Sequence, residues 1–272
     1  MVDTVGAWLA VLEEGWPAHD ALAWDRPGLQ VGDPAREVDR VLVGLDVTME
    51  VLAEAAVVPR TLLVAHHPLL LRPLAALTPA TAAGALALRA AADGVAVAAA
   101  HTNLDAADDG TGTSDPVVSA LGLHDVVPLL APERPGSRPL GRVGDLAAAT
   151  ALGDVAHRVA TGIGAPSVRI VGPTDRIVRR VAVLGGAGAD AVPEALAAGA
   201  DVLVTGDVRH HAALDALTLG LAVIDAGHHA TEAAAMAPFA ARLEAFGRAA
   251  GLRAPVVRSE VPTDPWTTVV TA

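Results

Sequence analysis

Three short apolar runs in the first half of the chain each close on a histidine or an acidic residue. They are RVLVGLD at Arg40–Asp46, TLLVAHH at Thr61–His67 and GVAVAAAH at Gly94–His101. None alternates apolar with polar, so each predicts a strand buried on both faces. Helix-like segments separate them, with Thr48 as a predicted N-cap for a helix reaching Val57 and a further helix over Pro79–Ala92. Strands of this kind alternating with helices predict an α/β fold. The sheet should be largely parallel, covered on both faces and connected by right-handed crossovers.

The second half repeats the rhythm. Strands are expected at Ser167–Val171, Val181–Leu184, Val202–Thr205 and Leu221–Asp225, with helices over Leu146–Ala160, His211–Leu219 and Thr231–Arg248. Val256–Val257 and Thr267–Val270 read as short closing strands. Val2–Leu12 reads as an amphipathic helix, and Gly15–Pro34 as a stretch of turns. LLVAHHP around His66 is loosely echoed by VLVTGDVRHH around His210, and VAVAAAHTNLD by LAVIDAGHHATE. A chain of 272 residues has room for two such α/β domains. The proline-rich stretch Leu129–Leu140 marks a crossing between them.

Charge and composition narrow the function classes. Lys and Arg number 19 against 31 Asp and Glu, a formal net charge of −12. That field repels polyanions, and no basic cluster offsets it, so no nucleic-acid partner is expected. Cysteine is absent, which removes disulfides, thiolate metal sites and a cysteine nucleophile. The apolar region Thr61–Leu77 is interrupted by His66, His67, Pro68, Arg72 and Pro73, so no membrane span is expected. Asp3 and Glu13 stand where a signal peptide would be basic, which makes the cytoplasm the expected compartment. There is no tyrosine, and Phe239 and Phe246 lie at core-like spacing on the last helix, so stacking surfaces are scarce.

The ten histidines carry the chemistry. Three adjacent pairs, His66-His67, His210-His211 and His228-His229, fall at or just after predicted strand ends, where open α/β sheets bind ligands. His101 closes another strand, with Asp105 four residues on. Glu232 lies four residues after His228, a spacing that can bring both groups to one face of a strand-to-helix junction. A lone pair of this kind is more often an ordinary core or surface feature, but several at strand ends point to a metal. Imidazole with carboxylate suits Zn, Fe, Mn or Co better than an all-oxygen cage for Mg or Ca. His66, His67, Asp105, His228 and Glu232 are five donors, more than one zinc ordinarily takes. The count fits two ions with Asp105 as the natural bridging carboxylate. Gly185-Gly186-Ala187-Gly188 reads as a tight strand-to-helix turn. It lacks the lysine of a P-loop and a clean dinucleotide fingerprint. No G-x-S-x-G elbow is present.

In this order, AWDRPGLQVGD (Ala23–Asp33), VLVGLDVTMEV (Val41–Val51), VAHHPLL, HTNLDAA, VAVLGGAGAD, DVLVTGDVRHH and IDAGHHATE resemble the NIF3-like dinuclear metal protein family, also known as GTP cyclohydrolase 1 type 2 homologs. The resemblance covers nearly the whole chain. It implies two similar α/β domains with a dinuclear metal site in the cleft between them. By that resemblance the first domain takes residues 1–127 plus 245–272 and the second 128–244. It implies two divalent metal ions per subunit, held by His66, His67, Asp105, His228 and Glu232. His101 lies beside the site, and His210 and His211 near the cavity. His101, with His210 or His211 as alternatives, is the expected proton-transfer group. The family forms homohexameric rings, which implies a homo-oligomer here. Some relatives carry an inserted domain after the position of Leu123, and this chain has no room for one. The leading functional expectation is a metal-dependent hydrolase acting on a small-molecule or nucleotide substrate. The alternative is a non-catalytic protein of metal handling or regulatory assembly.

Overall fold

The computed structural model describes residues 2–270. The chain forms two compact units, each with its own sheet. Unit 1 takes residues up to Leu104 and Met236–Thr263, and unit 2 takes Asp105–Ala235 and the tail from Asp264.

Unit 1 begins with α1 (Val5–Gly15), capped by the Thr4 side chain, which accepts from Ala7 N at 3.2 Å. There follow β1 (Gly28–Val31), β2 (Arg40–Gly44), α2 (Met49–Ala56), β3 (Thr61–Ala65), α3 (Ala82–Asp93), β4 (Ala96–Ala99) and the short α4 (Thr102–Asp105). Thr48 caps α2 as expected, accepting from Val51 N. The cap of α3 is Thr81, so this helix begins at Ala82 rather than Pro79. β2, β3 and β4 are parallel and buried almost throughout, as their unbroken apolar runs require.

Unit 2 contains α5 (Asp115–Leu121), β5 (His124–Pro128), β6 (Arg142–Ala151), α6 (Leu152–Ile163), β7 (Arg169–Val171), β8 (Ile177–Val183), α7 (Val192–Ala197), β9 (Val202–Thr205), α8 (His210–Thr218), β10 (Ala222–Asp225) and α9 (His228–Ala233). Its six-stranded sheet has the order β5-β6-β8-β9-β10-β7. The central β8, β9 and β10 are parallel, while β5, β6 and β7 pair antiparallel. The chain then returns to unit 1 with α10 (Met236–Ala249) and β11 (Val256–Arg258), which completes a five-stranded sheet of order β1-β4-β3-β2-β11. β1 is its antiparallel edge.

Several sequence expectations change. Residues 146–151 belong to strand β6, not to a helix, because pairing with β8 overrides the helix preference of an alanine-rich segment. The helix starts at Leu152, where the buried series Leu152, Val155, Ala156, Val159 and Ile163 begins. β1 lies inside the stretch expected to be turns, and β5 was not foreseen. The single helix expected over Thr231–Arg248 is two, because Pro238 has no N–H for a continuous helical ladder and so falls in the first turn of α10. Thr267–Val270 forms no strand.

The unit boundaries also differ from the expected 127/128 and 244/245. β5 pairs with β6, and Ala120 of α5 packs so tightly on Gly162 of α6 that a Cβ there would lie 2.3 Å away. Residues 105–127 therefore belong to unit 2. The whole of α10 belongs to unit 1. Phe239 meets Trp16 edge to face at 4.7 Å, and Gly247 makes room for the Trp8 ring. No helix among the described residues is long and apolar enough to cross a membrane.

Candidate metal centre

In unit 1 the parallel strands β2, β3 and β4 end side by side, and each leads into a polar residue. Asp46 follows β2, His66 and His67 follow β3, and His101 follows β4. Backbone bonds fix the register of these ends. His66 N donates to Gly44 O at 3.0 Å, His67 N to Leu45 O at 2.9 Å and Ala100 N to Ala65 O at 2.9 Å. One donor atom from each of His66, His67 and His101 falls into a group whose members all lie within 4.8 Å of one another.

The Nδ1 atoms show how the rings are held. His66 Nδ1 lies 3.0 Å from Ala100 O, His67 Nδ1 2.7 Å from Asp46 Oδ1 and His101 Nδ1 2.8 Å from Asp25 Oδ1. A carbonyl or carboxylate oxygen only accepts, so each Nδ1 carries the proton and donates. In the neutral ring, that leaves the lone pair on Nε2. Orienting a ligating imidazole through its other nitrogen is a recurrent feature of metal sites.

Asp25 is the functional residue that sequence reasoning missed. It is buried and accepts from Thr102 N at 3.0 Å, Thr102 Oγ1 at 2.5 Å and Arg26 N at 2.6 Å as well as from His101. Burial alone pushes its carboxyl up. The hydrogen bond and charge of His101, with the bonds from Thr102 and Arg26, outweigh burial and hold it down to about 2. The available signal was its place three residues before the glycine that opens GLQVG, in a segment that read as turns and entered the family resemblance without a role for Asp25.

Unit 2 repeats the placement with different chemistry. Its parallel strands β8, β9 and β10 end at Val183, Thr205 and Asp225 and lead into Gly185-Gly186, Asp207 and Gly227-His228. His228 Nδ1 donates to Asp207 Oδ2 at 2.7 Å, and its Nε2 faces Glu232 Oε2 at 3.1 Å. With the proton on Nδ1, a nitrogen lone pair meets a carboxylate oxygen, and that approach is favourable only with a proton or metal cation between them. Asp207 holds φ at +53°, a left-handed conformation that non-glycine residues seldom adopt. Buried Asp225 spans the two loops by accepting from Val208 N at 3.2 Å and Gly227 N at 3.1 Å.

Gly186 is required here. Its φ is +67°, and a Cβ would lie 2.2 Å from Glu232 Oε1. Gly186 N donates to Thr231 Oγ1 at 3.0 Å, which ties the glycine turn to α9. The turn therefore serves close packing around Glu232, and no phosphate nest is needed to explain it. Asp105 Oδ1 accepts from Thr113 Oγ1 at 2.6 Å. Its loop is clamped by Arg142, which reaches Asp115 at 3.1 Å and Ala107 O.

The structure thus groups His66, His67 and His101 in unit 1, and His228 with Glu232 in unit 2. His210 and His211, at the exposed start of α8, have ring centroids 5.3 Å apart and join no such donor group among the described residues. The donor set fits a divalent metal of the Zn, Fe, Mn or Co type: imidazoles presenting Nε2, supported carboxylates and a glycine that leaves them space.

A protein from Streptomyces coelicolor named GTP cyclohydrolase 1 type 2 homolog is 38% identical over 264 residues, 95% of this chain and 92% of the relative. A protein of the same name from Clostridium acetobutylicum is 32% identical over 258 residues, covering 94% and 95%. The crystal structure of a Bacillus cereus protein related to NIF3 superposes with a TM-score of 0.89 at 26% identity, covering 99% of this chain and 100% of that one. The family model for Duf34/NIF3 (NGG1p interacting factor 3) matches residues 4–265, and with the strand-end donors in place this chain belongs to that family.

Proposed function

We propose that the protein is a divalent-metal-dependent hydrolase whose donors from both units serve one dinuclear centre. The observation that carries this is the set of imidazoles locked by Nδ1 partners so that Nε2 is left for a metal. In this proposal His66, His67, Asp105, His228 and Glu232 hold two ions. Bound divalent ions supply Lewis acidity and lower the pKa of coordinated water.

The remaining chemistry belongs to the chain. Asp46 and Asp207 keep His67 and His228 in the Nδ1–H tautomer. Asp25 does the same for His101, leaving its Nε2 to accept a proton from the reacting water and return it to the leaving group. His210 and His211 are assigned to substrate contact or to proton transfer at the exposed end of α8. The substrate class is a small molecule bearing a hydrolysable amide, ring C–N or phosphoester bond, nucleotides included. The protein acts in the cytoplasm as a homohexamer, built by closed symmetry.

The test is reconstitution with Zn, Mn, Fe(II) or Co, followed by metal analysis and a turnover screen over nucleotides, phosphoesters and cyclic amides. Two ions per chain and turnover that fails in Asp105→Asn are expected. Two tightly held ions without turnover in any metal state would favour a metal-handling role instead. Light scattering should give a hexamer, and a stable mass near 27.3 kDa at every concentration would reject that assembly.

A further inference from the structure

Aromatic side chains are few in this protein: four tryptophans, two phenylalanines and no tyrosine. Trp8 and Trp16 are each 1% exposed and serve the core of unit 1. Trp266, in the tail of unit 2, is 80% exposed, and Trp24, in unit 1, is 52% exposed. Its ring meets the His101 ring edge to face, with centroids 5.8 Å apart. His101 in turn meets His66 at 5.2 Å and His67 at 5.7 Å. An open aromatic surface therefore lies at the border of the imidazole cluster.

The backbone that presents Trp24 is fixed on both sides. Leu22 N donates to Thr102 Oγ1 at 2.9 Å, and Asp25 N donates to Leu22 O at 3.0 Å. Asp25 is bound to Thr102 and His101. Trp24 thus sits at the tip of a tight turn fastened to the residues that follow β4. Leaving an indole in water on a rigid turn forgoes the stabilisation of burying it. A preorganised ring loses little conformational freedom when a ligand covers it.

We propose that Trp24 is a stacking platform for a planar heteroaromatic ring of the substrate, held beside the histidine cluster so that the bond to be cleaved lies over the metal donors. This rests on the cluster being the reactive site, as proposed above. The ligand class is a purine, pterin or similar flat heterocycle, because a π-face is recognised by an indole without sequence of hydrogen bonds.

The experiment measures equilibrium binding of GTP, ATP and free pterin to the metal-loaded protein, with inorganic triphosphate as the probe that has no ring. Trp24→Ala should weaken the ring-bearing probes about 5- to 100-fold, the range for loss of one base–aromatic stack, and leave triphosphate unchanged. Trp24→Phe should recover most of that loss. Metal content and oligomeric mass should equal those of the wild type. The proposal is overturned if the wild type binds none of the three ring-bearing probes, or if Trp24→Ala leaves their binding unchanged. Equal weakening of triphosphate, loss of metal or a change of oligomeric mass would likewise overturn it, the last by assigning Trp24 to a subunit interface. Binding is read separately from turnover. Trp24-dependent ring binding without turnover would reject the hydrolase alone. Turnover with two ions and no Trp24 dependence would reject the platform alone.

Discussion

The two units place their polar residues by the same rule and spend them differently. In each, adjacent parallel strands end together, and the residues just past those ends face ligand chemistry. Unit 1 offers three imidazoles in one group, neutral donors supported by Asp25, Asp46 and a backbone carbonyl. Unit 2 offers one imidazole and two carboxylates, Glu232 and Asp105. The strand-end frame fixes where donors stand, and the side chains decide charge.

The comparison breaks most severely if the donors themselves are replaced. His66→Ala in unit 1 and Glu232→Gln in unit 2 should each weaken metal binding by about 10²-fold or more, beyond the effect of losing an outer partner. Titration with a competing chelator measures it. If the two variants lose different ions, the division between the units extends to the metals. If either variant keeps both ions at wild-type affinity, that residue is no ligand.

Next in size is Gly186→Ala. The added Cβ meets Glu232 Oε1 at 2.2 Å at a φ of +67°, so either the carboxylate or the turn must move. A loss of about 2–3 kcal/mol of stability is expected, from strain and displaced packing together. Denaturant unfolding reads it, and metal affinity should fall in parallel. Gly110 is the control: its φ is +89°, but no atom lies within 4 Å of its Cβ position, so Gly110→Ala should cost less.

Removing the charge behind a histidine is milder. Asp46→Asn in unit 1 and Asp207→Asn in unit 2 should each reduce metal affinity about 10- to 100-fold while leaving the fold intact. Equal losses would show that orientation, rather than the donor set around it, governs the cost. No loss from Asp207→Asn would mean that His228 is held without its strained partner.

The smallest effect is a pH dependence confined to unit 1. Asp25 has its carboxyl lowered from 3.8 to about 2 in the folded state. Stability from this group is present above pH 4, where the unfolded chain's carboxyl is also ionised. It is lost as pH falls from about 4 through about 2. The shift corresponds to about 2 kcal/mol. Acid unfolding of the metal-free protein, compared with Asp25→Asn, measures it. A variant with the same acid midpoint would show that Asp25 contributes nothing to this window.

Much of this was legible in the chain. Unbroken apolar runs predicted β2, β3, β4, β9 and β10, because a strand buried on both faces has no room for polar alternation. His66 and His101 were legible for the same reason, as the first polar residues after β3 and β4. What escaped was set by distant contacts. β1 is only half-buried and exists because β4 offers it an edge. β6 is alanine-rich, and its partner β8 decides its state. Asp25 lies 76 residues before His101, and nothing local marks their meeting. The unit boundary at Leu104 was missed because the proline-rich stretch after β5 resembles a linker. The packing of α5 on α6 assigns that region to unit 2 instead.

Unit 1 is discontinuous, and that has a consequence for birth on the ribosome. Unit 2's main segment, Asp105–Ala235, is contiguous and emerges whole before α10 and β11 are made. The region that is second in sequence can therefore be the first to close its core during synthesis. Trp8 and Trp16 wait for Phe239, Phe246 and Gly247, with the apolar edge of β2 still open to strand addition. A nascent chain halted before residue 236 is thus expected to expose the tryptophan face and the β2 edge together. Those are the surfaces a chaperone would meet and the ones through which unfinished copies would aggregate.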